Sequence, residues 1–139
     1  MEKNDCVFCK IIKGELPSSK VYESYNTLAF LDINPVNIGH TIVIPKKHFN
    51  NLYDTPEEFL CEMMKITKNL SIAIKSATKA DGINLEMNND RAAGQLVNHI
   101  HWHIVPRFEG DGFTHWHGKR PYNEGEMSEV AEKIRKEIK

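Results

Sequence analysis

Three histidines stand at alternate positions in the segment His99-Ile100-His101-Trp102-His103. Successive side chains of a β-strand point to opposite faces, so in a strand these three imidazoles share one face, with neighbours about 6.7 Å apart along the backbone. The apolar side chains between them then pack on the core. Each buried imidazole needs hydrogen-bond partners, so packing alone is a poor reason for such a row.

Two kinds of chemistry suit the row. Neutral imidazole is a common metal ligand, although a single ion reaches two neighbours more readily than the outer pair, about 13 Å apart. Neutral imidazole also attacks phosphorus, and water then breaks the N–P bond, which divides one difficult step into two easier ones. The preceding residues favour this second chemistry. Gly94 allows a close backbone approach to a ligand, and amide N–H groups around Gly94 and Gln95 would hold phosphate oxygens.

Cys6 and Cys9 form a Cys-x-x-Cys pair, and Cys61 stands alone within a helical pattern, where we expect it to be buried. Haem attachment requires a histidine next, but Lys10 follows the pair. A thioredoxin-like site requires a preceding strand, for which the chain leaves no room. Zinc therefore remains, with two thiolates and two imidazoles from distant positions forming a closed tetrahedral site.

The elements that must position these residues follow from periodicity and turn signals. A short helix is predicted over Val7–Ile12, and a long one starts at Thr55-Pro56, with Thr55 as cap and Glu58 completing a capping box. The predicted core face of the long helix contains Phe59, Met63, Ile66, Leu70, Ala73 and Ala77, and is widened by Leu60, Met64 and Ile74. The predicted strands are Val21–Tyr25, Leu28–Ile33, Thr41–Ile44, Ile83–Met87 and His99–Val105.

A final helix is predicted from the spacing of Met127, Val130, Ile134 and Ile138. Paired strands, a long helix, more strands and a last helix indicate an α+β fold. We expect a mainly antiparallel sheet of about five strands, with one long central helix and a C-terminal helix.

Composition limits the class of protein. The chain has 139 residues, of which 40% are hydrophobic and 27% charged, so we expect one domain over residues 1–139. Eighteen basic residues against 19 acidic ones give a net charge of −1, which provides no general attraction to nucleic acid or to anionic membranes. The apolar runs are too short to span a bilayer, and the N-terminus lacks the apolar core of a signal peptide, so a cytoplasmic protein is expected.

Several segments, in this order, resemble the histidine triad (HIT) superfamily: CVFCKIIKGELPSSKVYES, LAFLDINPVNIGHTIVIPKKH, INLEMNND and AAGQLVNHIHWHIVPR. The resemblance covers roughly Cys6 to Arg107 and is greatest to the branch with a zinc-binding Cys-x-x-Cys, typical of bacterial HIT proteins. It implies a HIT-like fold and a homodimer whose sheets join. It also implies a hydrolase or transferase acting on nucleoside phosphoramidates, dinucleoside polyphosphates or related nucleotide conjugates.

The resemblance assigns the chemistry to particular histidines. His101 would attack the α-phosphate, and water would release a nucleoside monophosphate from the covalent nucleotidyl-histidine. His103 would contact the α-phosphate or leaving group and assist proton transfer. His40 matches a family histidine near the site, and Asn88 matches a polar position at the phosphate. His48 and His99 would complete a structural Zn²⁺ site with the cysteine pair.

The resemblance also places the nucleotide. Asp32 matches the ribose-binding position, where a carboxylate accepts hydrogen bonds from sugar hydroxyls. The wall of a purine pocket is matched by Phe8, Ile11, Phe30 and Ile33. For these four residues, packing in the core is an equally good interpretation.

One departure from the family pattern concerns the phosphate loop. Related members often carry Ser or Thr directly after the Gly-Gln pair, whereas Leu96 stands there in this chain. Because this hydroxyl is lost, a nucleotide-sensing or scaffold protein with little turnover stays an alternative function.

A metal-dependent cupin-like enzyme would need a glutamate soon after the His-x-His pair, and Glu109 comes too late. The resemblance assigns no role to His115 or His117, which we place in a loop.

Overall fold

The computed structural model describes residues 5–139, which form three α-helices and one five-stranded sheet. In chain order the elements are α1 (Val7–Ile12), β1 (Lys20–Glu23), β2 (Thr27–Leu31), β3 (Thr41–Pro45), α2 (Glu57–Thr78), β4 (Gly82–Met87), β5 (Trp102–Arg107) and α3 (Glu126–Glu137). Each pair of neighbouring strands is antiparallel, in the spatial order β1-β2-β3-β5-β4. The predicted α+β fold, with its antiparallel sheet, long helix and C-terminal helix, is confirmed.

The two faces of the sheet bury different sets of side chains. On one face, Met63 and Ile74 of α2 pack against Ala29, Val43, Trp102 and Ile104. On the other face, side chains of the α1 region pack against Leu28, Phe30, Ile42 and Ile44. The side chains of Trp102 and Ile104 lie on the face of the sheet that packs against α2. Because side chains alternate along β5, His103 lies on the opposite face, the α1 face, which packs against the α1 region. The alternation that the sequence predicted therefore places the histidines on the α1 side of the sheet.

The core face of α2 agrees only in part with the predicted one. Met63 and Ile74 are buried as expected and Thr67 joins them, whereas Met64, Ala73 and Ala77 are exposed. The indole N–H of Trp102 donates a 2.7 Å hydrogen bond to the hydroxyl of Thr67. A buried indole N–H requires an acceptor, so a threonine occupies the centre of the helix face. Hydrophobic periodicity could not reveal a core position that is filled by a polar residue.

The predicted start of α2 is also wrong in detail. The helix begins at Glu57, no side chain caps it, and the Thr55 hydroxyl donates instead to the Asn51 carbonyl at 2.6 Å. A capping box does form one turn earlier, where Asn51 and Asp54 bracket a short 3-10 helix over Leu52–Asp54. Cys61, expected to be buried, is exposed.

The histidine-rich strand is shorter than predicted, because β5 begins at Trp102 rather than at His99. Its pairing with β3 stops at Val43↔Trp102. Pro45 has no N–H to continue the ladder, and the amide of Ile100 donates instead to the carbonyl of Phe49 at 2.8 Å. His99 and His101 therefore lie on an irregular segment that leads into the strand.

The C-terminal helix α3 matches the predicted spacing, with Met127 and Ile134 both largely exposed. Within residues 5–139, no helix combines the length and the apolar character that crossing a membrane requires.

Candidate functional site

The side chains of His101 and His103 lie side by side on the α1 face, with ring centroids 5.1 Å apart. The Phe8 ring of α1 meets the His101 ring edge-on at 5.0 Å, and His40 meets His103 at the same centroid distance. The helix α1, the loop before β3, and the strand β5 with the segment that precedes it thus converge on one group of three imidazoles.

The His101 ring is oriented by the backbone of the segment that carries it. Its Nδ1 lies 2.7 Å from the carbonyl oxygen of His99. A carbonyl only accepts, so the proton of the neutral ring is at Nδ1. Nε2 consequently carries the lone pair, which is the requirement for a nucleophilic imidazole.

In the neighbouring pair, His40 and His103, the proton of each neutral ring lies at Nε2 and not at Nδ1. The backbone N–H of Val36 donates to Nδ1 of His40 at 3.0 Å, so neutral His40 carries its proton at Nε2. That Nε2 lies 2.8 Å from Nδ1 of His103, which must accept. His103 therefore carries its own proton at Nε2. The site presents a lone pair on His101 beside an N–H donor on His103.

Burial keeps these rings neutral. It lowers the pKa of His101, His103 and His40 below the ordinary 6.5, because desolvation disfavours the imidazolium. The His99 carbonyl opposes this shift of the pKa at His101, and the Asp32 carboxylate opposes it at His40. Asp32 Oδ2 lies 3.6 Å from His40 Nε2. At pH 7 the site therefore contains uncharged imidazoles near two acidic side chains, Asp32 and Glu86.

Asp32, His40 and His103 lie close enough to suggest a metal site, since their donor atoms are within 4.8 Å of one another. The hydrogen bond from Val36 argues against it. A histidine that binds metal through Nε2 must carry its proton at Nδ1, where it normally donates to an acceptor. Nδ1 of His40 faces a donor instead. The geometry fits a hydrogen-bonded pair and not a metal ligand.

A second cluster, formed by Cys6, Cys9, His48 and His99, has the geometry expected of a metal site. Its four donor atoms lie within 4.8 Å of one another. His99 Nδ1 is 3.5 Å from Cys6 Sγ, and His48 Nδ1 is 3.3 Å from Cys9 Sγ. Tetrahedral coordination at ordinary Zn–S and Zn–N bond lengths separates the donors by about 3.3–3.8 Å. These residues, all predicted from the sequence, are therefore brought together with spacing that suits one metal ion.

The outer nitrogens of both imidazoles in this cluster point at acceptors. His99 Nε2 donates to the Pro45 carbonyl at 2.8 Å, and His48 Nε2 donates to Asn50 Oδ1 at 3.3 Å. Both Nδ1 atoms are thus free of protons and face the thiols, which is the orientation that metal-binding histidines show. Burial lowers the pKa of His99 to about 4, so its ring is neutral at physiological pH.

The loop before the histidine segment is folded by its own side chains. Gln95 is buried, accepts from the Asp90 amide at 2.8 Å and donates to the Asn50 carbonyl at 2.6 Å. Gly94 has φ +92°, and a Cβ there would lie 3.5 Å from the Asn88 amide nitrogen. Leu96 points into solvent with 93% of its surface exposed. Because the Gln95 side chain is committed to the loop, only its backbone is available to a ligand.

The residues predicted to line a nucleobase pocket fall into two groups. Phe8, Ile11 and Phe30 are buried in the core beneath the histidines, whereas Ile33 is 89% exposed on the loop after β2. Their contact with a base stays a prediction. Asp32, between the two groups, is half-buried beside His40.

The segment containing His115 and His117 lies in a loop, as expected. With Glu86 and Asn88 of the neighbouring edge strand and loop, it lines a groove of about 710 Å³. Sequence reasoning also missed Val36, whose backbone N–H fixes the tautomer of His40. A backbone contribution of this kind leaves no signal in residue type.

Residues 13–110 match the family model described as the HIT domain. An uncharacterised HIT-like protein of Methanocaldococcus jannaschii is 51% identical over 107 residues, covering 77% of this chain and 82% of the relative. The adenosine 5'-monophosphoramidase of Candida albicans is 40% identical over 106 residues, covering 73% and 70%.

Solved structures show the same similarity. A crystal structure of a Streptococcus mutans protein superposes with a TM-score of 0.90 at 43% identity, covering 98% of this chain and 87% of the other. A zinc-bound histidine triad family protein of Mycobacterium smegmatis superposes with a TM-score of 0.77 at 37% identity, covering 97% and 99%.

The tautomers assigned above are measurable. At pH 7.5, long-range ¹H–¹⁵N correlation spectra should show His101 protonated at Nδ1, and His40 and His103 protonated at Nε2. Because burial lowers their pKa, His40 and His103 should become charged only as the pH falls below 6.5. A spectrum with His101 protonated at Nε2 would contradict the assignment, since that nitrogen would lack the lone pair.

Proposed function

Since this chain belongs to the HIT domain family, we propose that it cleaves the α-phosphate bond of nucleoside phosphoramidates, dinucleoside polyphosphates or related nucleotide conjugates through a covalent nucleotidyl-histidine. The observation that carries this proposal is the unprotonated Nε2 of His101 beside the Nε2–H of His103. The similarity to a monophosphoramidase supports the substrate class.

In the first step, His101 Nε2 forms a bond to the α-phosphorus as the bond to the leaving group breaks. The leaving-group atom takes the proton from His103 Nε2. The phosphorylated His101 ring gains a positive charge. This charge lies close to the His103 ring and offsets the negative charge left there by loss of its proton. The carbonyl of His99 holds the Nδ1 proton of His101 throughout and stabilises the charged ring.

In the second step, water attacks the same phosphorus from the side that the leaving group vacated. The water loses a proton to His103 Nε2, and the bond from phosphorus to His101 breaks. Both imidazoles return to their starting tautomers, and the nucleoside monophosphate leaves. Asn88 and backbone amides near Gly94 and Gln95 would hold the phosphate oxygens, and Asp32 would accept from the ribose hydroxyls.

A second candidate function is a nucleotide-sensing or scaffold protein that binds without turnover. It is favoured by Leu96, which offers no hydroxyl to the phosphate and projects into solvent. A direct search for the covalent intermediate separates the two functions.

The enzyme, incubated briefly with a nucleoside phosphoramidate and quenched in denaturant at alkaline pH, should gain the mass of one nucleotidyl group. His101→Ala should gain none, and its turnover should fall by a factor of about 10³ or more. Circular dichroism and metal content show whether the variant keeps its fold. Tight nucleotide binding by the wild type, with neither label nor turnover on several substrates, would establish the sensor instead.

We infer that the metal of the four-residue cluster is structural Zn²⁺. Two cysteine and two histidine ligands form a closed tetrahedral site with no position for substrate. Cys6 lies at the N-cap of α1 and Cys9 in its first turn, so the ion would join this helix to His48 after β3 and to His99 before β5. The similarity to a zinc-bound family member supports this identity.

The purified protein should contain one equivalent of zinc, and Cys9→Ser should lose most of it. Cys61→Ser is a matched control, since this exposed cysteine lies outside the cluster and its loss should leave the zinc unchanged. At free zinc 1,000-fold above its dissociation constant, removal by a chelator should lower the free energy of unfolding by about 4 kcal/mol. Iron or manganese in place of zinc, or equal zinc in both variants, would contradict the inference.

We also propose a homodimer that joins at β4. This strand is one edge of the sheet, and its Leu85 side chain is 45% exposed. Edge strands carry unpaired backbone groups that pair readily with a second chain. On helix α2, which contacts β4, the apolar side chains of Cys61, Met64 and Ile72 are also exposed.

Leu85→Lys should shift the protein from dimer to monomer in sedimentation velocity at micromolar concentration. Val21→Lys is the matched control, because Val21 is also 45% exposed but lies on β1, the opposite edge of the sheet. It should leave the dimer intact. A monomeric wild type, or dissociation by Val21→Lys alone, would exclude joining at β4.

A further inference from the structure

The turn that fixes the tautomer of His40 lies on an exposed loop. Residues 32–40 connect β2 to β3, and the side chains of Ile33, Val36 and Ile38 project largely into solvent. These three side chains bury little apolar surface, whereas Gly39 near the end of the loop packs tightly against Thr78 of α2. Around Val36, the position of the backbone N–H therefore depends mainly on hydrogen bonds.

Asn37 supplies two side-chain hydrogen bonds that tie this loop to the rest of the fold. Its side-chain nitrogen donates to the carbonyl of Pro106 at 2.8 Å and to Asp111 Oδ2 at 2.9 Å. Its backbone carbonyl accepts from the amide of His40 at 3.0 Å, which closes the turn. Pro106 belongs to β5, the strand that carries His103, so the Asn37 side chain ties the loop to that strand.

Asp111 is itself rigidly held. It accepts two hydrogen bonds from the Arg107 guanidinium and two from the backbone amides of Phe108 and Phe113. Arg107 is the main cause that keeps the pKa of Asp111 far below its usual range, so the carboxylate stays charged. A charged acceptor strengthens the bond from Asn37 relative to a neutral one.

We propose that Asn37 and Asp111 are positioning residues, which clamp the Val36–His40 turn and thereby fix the tautomers of His40 and His103. The clamp touches neither substrate nor reacting atoms. It acts through the Val36 N–H on His40 Nδ1, and through His40 Nε2 on His103. The consequence for catalysis rests on the proposed function, in which His103 Nε2–H protonates the leaving group.

When the clamp is removed, the Val36 N–H no longer stays at His40 Nδ1, and His40 populates both neutral tautomers. His103 then loses its fixed proton at Nε2. An alkylamine leaving group needs that proton, whereas p-nitrophenolate leaves without it. Loss of the clamp should therefore slow the two substrates unequally, which a general loss of stability would not do.

The test compares Asn37→Ala with Asn34→Ala by NMR and kinetics. Asn34 lies in the same loop, and its side-chain amide makes no hydrogen bond within residues 5–139, so it is the matched control. Asn37→Ala should convert His40 from one tautomer to a mixture. It should lower kcat/KM, which reports the steps up to departure of the leaving group, about tenfold or more for a nucleoside alkyl phosphoramidate, with less than about threefold change for a nucleoside p-nitrophenyl phosphate. Asn34→Ala should match the wild type in both measurements.

Asp111→Asn keeps the side-chain shape, removes the charge, and should shift the His40 tautomer in the same direction. A single His40 tautomer in Asn37→Ala, identical to that of the wild type, would overturn the proposal whatever the activity. Equal loss of kcat/KM on both substrates would overturn it too. If the wild type turns over neither substrate, the proposed function fails, and the tautomer comparison alone still decides whether the clamp positions His40.

Discussion

The carbonyl oxygen of His99 is the constraint on which the reactive geometry depends. It holds the Nδ1 proton of His101, and this leaves the lone pair on Nε2. The ring of the same residue donates to the Pro45 carbonyl and turns Nδ1 toward the cysteine thiols. One residue thus links the Cys–His cluster to the nucleophile, because its side chain is anchored in the cluster while its backbone orients the next histidine.

The direction of each hydrogen bond separates two groups of histidines that look alike in the sequence. His48 and His99 donate through their outer nitrogens, and this leaves a lone pair for a metal ion on each Nδ1. His40 accepts from a backbone amide and keeps its proton on the nitrogen that faces His103. The same imidazole chemistry therefore supports coordination in one cluster and proton transfer in the other, a few ångströms away.

Most of the fold followed from local patterns, and the errors have identifiable causes. The strands, the long helix and the last helix were predicted near their observed places because alternation and helical periodicity are local properties. The predicted core face of α2 was wrong in part, because the hydroxyl of Thr67 is buried where it accepts a hydrogen bond from Trp102. The predicted start of β5 was wrong because Pro45 ends the pairing of the neighbouring strand β3 with β5. Both errors concern a residue whose partner is far away in sequence.

The sequence alone determined the identity of the reactive groups: alternating histidines, a Cys-x-x-Cys pair, and a family pattern that joins them to His40 and His48. These are properties of residue type and spacing. Only the tertiary structure decided which nitrogen of each ring bears the proton, since that depends on the Val36 amide, on the carbonyls of Pro45 and His99, and on the clamp formed by Asn37 and Asp111. Backbone groups carry no signature in residue type, and their contacts exist only once the chain has folded.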